Sequence, residues 1–353
     1  MVRRMRAAFH RYIPAQFHDP FGLLVRLIRE RDPAALFAIV VALLGIVAIP
    51  LDRVLEIFEK RLYAEAKPPK QPMIFVCGAP RTGTTLVSQV LIANLPVAFF
   101  NNLTAIFPRS PITANRLFGR FLGKPQITYS SFYGKSVGFA GPNDALYIWD
   151  RWFGKDRTRI PTSLDEAAKN NMIQFFGAAE AFFQKPVLNK NNNLNTCAHL
   201  VADQFDNAWF ICMNRDTKFL AQSLLKARLD IHGDAHVAYG ISYTTDTETQ
   251  EIDVIEDVCR QTLFHQQTIL EQQAMIGPDR FWIIQYEDFC QNPAALLQRV
   301  YEEILKQPAP ESVLAGIEPF RVSNRVRLEP ELFQKIEETL LALEKLSAKP
   351  VNS

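Results

Sequence analysis

Apolar residues fall along this chain in two kinds of run. Short continuous runs occupy Met73–Cys77, Pro186–Lys190, Ala208–Arg215 and Arg280–Tyr286, and each suits a strand buried on both faces. Runs at helical spacing lie between them. Leu86, Val87, Val90 and Leu91 follow the first strand, Asp216–Arg228 the third, and Ala294–Leu305 the fourth. Ala145–Phe153 and Ser163–Phe183 precede the second, the latter with Ser163 and Glu166 spaced as a capping box. Pro96–Gly141 is loop-rich and aromatic, which suits the lining of a pocket. Tyr239–Asp257 is polar and acidic, which predicts a lid merging into a helix from Ile252. A basic irregular stretch, Phe320–Arg327, precedes a helix over Pro330–Lys345. Strands alternating with helices predict a three-layer α/β/α fold with a central parallel sheet.

The pattern changes before Lys67. Phe21–Arg29 is amphipathic, and Ala34–Leu51 carries no charge, about the minimum length for crossing a bilayer. Leu51, Val54, Leu55, Phe58 and Leu62 then share one face of a further helix. Residues 1–66 are therefore expected to form a hydrophobic helical membrane anchor, as one spanning helix or an interfacial hairpin. A buried globular helix is the alternative. Ala66–Pro72 reads as a stiff linker into a catalytic domain over 67–353. Cations flank the uncharged run on both sides, so orientation stays open.

The net charge of +2 says little about partners, but its distribution says more. No Asp or Glu occurs between Glu65 and Asp144, whereas Lys67, Lys70, Arg81, Arg109, Arg116, Arg120, Lys124 and Lys135 do. Such a sector suits an anionic donor, an anionic acceptor or lipid head groups. No motif points to nucleic acid. The five cysteines lack zinc or disulfide spacing, and the histidines have no metal-ligand partners, so no metal is implied. Nothing here sets an oligomeric state.

The chemistry starts at Gly78-Ala-Pro-Arg-Thr-Gly-Thr-Thr85. Strand, glycine loop and helix form a nest of N–H groups at a positive helix end, which holds a phosphate. A nucleoside-triphosphate loop needs a lysine after the second glycine; Thr84 stands there, and the loop's cation is Arg81. Pro80-Arg81-Thr82-Gly83-Thr84-Thr85-Leu86 closely resembles the 5′-phosphosulfate loop of sulfotransferases that use 3′-phosphoadenosine 5′-phosphosulfate (PAPS). Arg215 ends a strand and Ser223 follows eight residues on, which resembles that family's 3′-phosphate motif, with Thr217 where a proline is usual. Tyr286-Glu-Asp288 and Asn292-Pro293 look like its late strand and loop.

The resemblance implies in-line sulfuryl transfer from PAPS to a hydroxyl or amine. Arg81 with Thr82, Gly83, Thr84 and Thr85 would hold the 5′-phosphate, and Arg215 with Ser223 the 3′-phosphate. Lys190 matches the lysine of the family's K-x-H, but Asn192 stands at the histidine and cannot accept a proton. The expected base is Asp144, the first carboxylate after Glu65, aimed by a Gly-Pro turn; the alternative is that Asp144 caps the helix from Ala145. His232 and His236 are the other candidates. The membrane anchor points to a lipid or glycan acceptor, with the catalytic domain facing the cytosol. A kinase-like transferase with a degenerate loop and a non-catalytic membrane protein retaining the fold are the competing readings.

Overall fold

The structure is a computed structural model that describes residues 32–125, 127–129, 136–243 and 252–347, with Gly22 and Val25. Apart from those two residues, the expected amphipathic run Phe21–Arg29 lies outside it. So do His10, His18, Lys135 and 244–251 of the expected lid.

Two N-terminal helices, α1 (Pro33–Val47) and α2 (Ile49–Glu65), precede the sheet. The rest alternates: β1 (Met73–Gly78), α3 (Thr84–Asn94), β2 (Ala98–Phe99), α4 (Asn102–Ile106), α5 (Pro111–Phe118), α6 (Leu146–Phe153), α7 (Glu166–Phe183) and β3 (Val187–Lys190). Then come β4 (Ala208–Asn214), α8 (Thr217–Ala227), α9 (Val254–Ile276), β5 (Phe281–Gln285), α10 (Tyr286–Gln291), α11 (Pro293–Arg299) and α12 (Pro330–Ser347). The strands form one five-stranded sheet in the order β2-β3-β1-β4-β5, parallel throughout.

Successive strand residues point to opposite faces. Met73, Phe75 and Cys77 of β1 join Phe210 and Cys212 of β4 in one core, covered by α6 and α7. Ile74 and Val76 join Ile211 and Met213 in a second, covered by α3, α10 and α11. Both faces are buried, which is why the strands read as unbroken apolar runs. Cys77 and Cys212 are register partners inside the sheet and pack as small hydrophobes.

Three local readings change. β2 is two residues long, too short to leave a periodic signal. α7 starts at Glu166, capped by Asp165 through Ala168 N, so Ser163 and Glu166 form no capping box. α6 starts at Leu146 rather than Ala145.

The uncharged N-terminal run does not form one helix. Pro50 lacks an N–H and its ring crowds the preceding turn, so the helix breaks at Ala48. The two arms meet at 74°, and among the described residues no single helix is long and apolar enough to cross a membrane. α2 packs on the domain through the side opposite most of its apolar stripe. It buries Asp52, Leu55, Glu59 and Tyr63 against α5 and α7, and leaves Leu51, Val54 and Phe58 exposed.

On α9, His265 is 2 % exposed and hydrogen-bonded through Nδ1 to Asn195 Nδ2 (2.8 Å). Burial pulls its pKa down to about 4, against an opposing backbone hydrogen bond at Ile241. In the unfolded chain the imidazole titrates near 6.5. As pH falls below that value the unfolded state takes up the proton first, so stability is lost between about pH 6.5 and 4. By pH 5 the loss is about 2 kcal/mol. Urea denaturation at pH 7 and pH 5 should show this slope, and His265→Gln should flatten it; an unchanged slope in the variant would remove His265 as its source.

Candidate active site

The site lies at the carboxyl ends of the parallel strands, where this architecture places ligands. β1 ends at Gly78, with φ 138°; a Cβ there would sit 2.5 Å from Met213 O, so glycine is required for the chain to leave beside β4. The loop then turns through Arg81, held at φ 76° in the left-handed region. Strain of this kind in a non-glycine residue marks functional loops. At Gly83, with φ 92°, a Cβ would meet Tyr286 Cδ2 at 2.5 Å. Backbone and ring thus close on each other, and α3 opens at Thr84 with its N–H groups facing this end.

Two guanidiniums converge on the loop. Arg81 Nε donates to Ser223 Oγ (3.1 Å), and Arg215 Nη1 donates to Arg81 O (2.8 Å). Arg215 Nε and Nη2 donate to Asn324 Oδ1 (3.0 and 2.8 Å), Nη2 also reaches Ser323 Oγ (3.2 Å), and the guanidinium lies 5.0 Å from the Tyr286 ring centroid. Burial lowers the Arg215 pKa; Tyr286 and Glu287 oppose this, while the charges of Arg81 and Arg327 add to it. An anion between the guanidiniums would relieve that repulsion.

A second arrangement joins the loop to a cleft. Lys190 Nζ, at the end of β3, lies 3.0 Å from Thr85 Oγ1 and 2.9 Å from Asp144 Oδ1. The cleft, narrow and partly open to solvent, is lined by Thr85, Ser88, Phe100, Asp144 and Lys190 among others. Asp144 does not cap α6. α6 has no side-chain cap; Asn143 Oδ1 accepts from Ala145 N (2.8 Å), ahead of the helix, and Ala145 sits at φ 54°. Asn189 Nδ2 holds the Asp144 carbonyl (3.2 Å), and Asn143 Nδ2 donates to Asn102 Oδ1 (2.7 Å). Asn102, which opens an Asn-Leu-Thr glycosylation sequence, is 5 % exposed and donates to Ser136 O and Gly138 O, so its side chain is turned inward in the folded chain.

The chain matches the model of the Sulfotransferase family over residues 72–304. The chain belongs to the sulfotransferase family.

Among solved structures this sulfotransferase is similar in fold to STF9 from Mycobacterium avium, at TM-score 0.54 and 15% identity, covering 98% of this chain and 96% of that one. It is similar also to STF1 from Mycobacterium tuberculosis H37Rv, at TM-score 0.51 and 11% identity, covering 91% and 90%. No curated protein sequence matches it.

Within the sulfotransferase the residues expected from sequence fall into three groups. Arg81, Gly83, Arg215 and Ser223 meet around one loop, and Thr85, Lys190 and Asp144 around the adjoining cleft. Thr82 and Thr84 are spent on scaffolding: Thr82 Oγ1 donates to Ala79 O (2.7 Å), and Thr84 Oγ1 to Asn192 Oδ1 (3.0 Å). His232 and His236 do not line the cleft. Three contributors went unread. Tyr286 packs on Gly83, and Asn324 holds Arg215. Tyr239 lies near enough to Arg81 and Asp144 to feel both charges, and burial pushes its phenol up to about 12, so it stays a neutral donor. Its neighbour Gly240 packs on Pro80, bringing the 228–243 segment over the loop.

Proposed function

We propose that this sulfotransferase moves a sulfuryl group from PAPS to the hydroxyl or amine of a membrane-proximal acceptor, a lipid or a glycan. The observation that carries the reading is Lys190, bridging Thr85 of the phosphate loop and Asp144 of the cleft. It puts one cation between the place for the leaving phosphate and the place for the nucleophile. The donor site fits an anion with two phosphates. The nest at α3 with Arg81 takes the 5′-phosphate, and Arg215 with Ser223 the 3′-phosphate.

In this reading the acceptor oxygen forms a bond to sulfur as the bond from sulfur to the bridging phosphate oxygen breaks. The electron pair leaves with the 5′-phosphate, where Arg81 and Lys190 offset its charge. The acceptor proton passes to Asp144. We further propose that the protein is membrane-associated with this site on the cytosolic side. Support comes from the apolar face that α1 and α2 present outward.

Arg215→Ala separates this reading from a kinase-like one. A charge-assisted hydrogen bond contributes roughly 1.5–3 kcal/mol. The variant should bind adenosine 3′,5′-bisphosphate at least about tenfold more weakly, with affinity for 5′-AMP nearly unchanged. Calorimetry measures both, and equal losses would sink the 3′-phosphate assignment. Transfer of labelled sulfate from PAPS into extracts of the native membrane then identifies the acceptor; absence of any labelled product would favour a non-catalytic role.

A further inference from the structure

The N-terminal helices expose what a soluble surface usually hides. On α1, Leu36, Val40, Leu43, Leu44 and Val47 are exposed, Val47 by 77%. They recur at helical spacing along one side, and no charged residue interrupts them. On α2, Leu51, Val54, Ile57 and Phe58 continue the exposed apolar face past the 74° bend. Single exposed leucines are ordinary, but a contiguous face of this kind marks an interaction site.

The burial of the acidic side of α2 explains why the apolar face cannot turn inward. Its carboxylates are committed to the interior: Asp52 accepts from Ser110 N (3.1 Å) and Glu59 from Thr113 N (2.7 Å). Of its remaining acids up to Lys60, Glu56 is paired with Arg109 (3.1 Å) and Lys60 (3.3 Å). The exposed charges on α2 are Arg53, Arg61, Lys60 with its half-buried partner Glu56, and Glu65 at the end of the helix. On the segment following α5, itself packed on α2, Arg120 stands over the ring of Phe121, which is 73% exposed.

We infer that the outward face of α1 and α2 is a monotopic docking surface for a bilayer carrying anionic lipid. The bent pair lies in the interface without crossing it, apolar side chains among the acyl chains and cations at the head groups. Charge decides among occupants. A second copy seated on the same face would set Arg53, Lys60 and Arg61 against their own counterparts. Residues 1–31, with seven arginines against Asp19 and Glu30, would meet the same cations, whereas an anionic surface attracts both. The inner side of α1 touches a loop beside the cleft. Phe37 of α1 stacks edge-on with Phe139 (5.2 Å between centroids), in the loop whose Ser136 and Pro142 line it. The inference deepens the membrane association proposed above and rests on it.

Flotation of the full chain with phosphatidylcholine vesicles containing about a third phosphatidylglycerol tests it. Wild-type protein should float with these vesicles and much less with phosphatidylcholine alone. The double substitution Leu43→Glu, Val54→Glu should lower binding at least about tenfold, with bisphosphate affinity and urea midpoint unchanged. Leu43→Ser with Val54→Ser, which adds no charge, should fall between. Undiminished binding by the double variant overturns this surface while leaving membrane association standing. No flotation of wild type overturns both, and self-association through this face without flotation assigns it to a second copy. None of these readouts depends on sulfate transfer.

Discussion

Asp144→Asn is expected to lose about 10²–10⁴ in transfer rate while binding adenosine 3′,5′-bisphosphate normally. The substitution isolates one property. Asparagine has the same shape and keeps an oxygen for Lys190 Nζ, now 2.9 Å from the carboxylate, but it cannot take a proton. Helix capping does not confuse the result, because α6 takes no side-chain cap from Asp144 or any other residue. The left-handed Ala145, at φ 54°, costs on the order of 1–3 kcal/mol, and it aims the preceding residue at the cleft. That expense has no packing return evident at position 144, whose side chain is 22% exposed. A positioning role for Asp144, acting through Lys190, is distinguishable. A base removed takes the acid limb of the pH–rate profile with it, whereas an orienting group removed lowers the rate and leaves the limb in place. Retention of more than about a tenth of the wild-type rate would end the assignment.

The parts of this site legible in the sequence are those built from neighbours along the chain. Gly78, Arg81, Gly83 and Thr84 lie within one loop, and strand, turn and helix propensities agree there. Arg215 and Ser223 were legible because a strand end and a helix turn are one local unit. Contacts between distant segments were not. Nothing local announces that Tyr286 will lie against Gly83, or that Asn324 will hold Arg215. Asn192 shows the limit of motif reading. Its position lacks the proton acceptor of K-x-H, and the structure gives it another task, accepting from Thr84 Oγ1 at 3.0 Å. The fold followed the same rule. Strands buried on both faces are unmistakable as apolar runs, while the two residues of β2 are set by pairing with β3 alone. Along α2, apolar periodicity showed the outward stripe but not the side that packs on the domain, because that side is held by carboxylates with partners more than fifty residues away.

Those carboxylates carry the largest expected effect on stability. α5 begins at Pro111 with Ser110 before it, and Ser110 gives it no side-chain cap. Its open N–H groups are served across the chain by α2. Glu59 Oε1 accepts from Ile112 N (3.1 Å) and Tyr63 OH (2.9 Å); Oε2 accepts from Thr113 N (2.7 Å) and Thr113 Oγ1 (2.6 Å). Asp52 does the same for Arg109 N and Ser110 N (3.2 and 3.1 Å). Negative charge at a helix N-terminus is favourable, and Glu59 is fully buried, so water cannot replace it when it is gone. Hydrogen bonds to a charged group contribute roughly 1.5–3 kcal/mol each, though not additively. Glu59→Ala should therefore destabilise the protein by about 3–5 kcal/mol, since four donors lose their acceptor at a buried site and each unsatisfied buried donor costs about 1–3 kcal/mol, less than additively. Glu59→Gln should cost less, since one oxygen still accepts, while its amide faces N–H donors. Urea denaturation gives both values, and a loss below about 1 kcal/mol for Glu59→Ala would mean that α5 does not depend on this cap. The same argument reaches the boundary at Lys67. A chain cut there loses Asp52, Glu59 and Tyr63 together, leaves the start of α5 and the core around Phe175 uncovered, and should fold poorly even if its donor loop is intact.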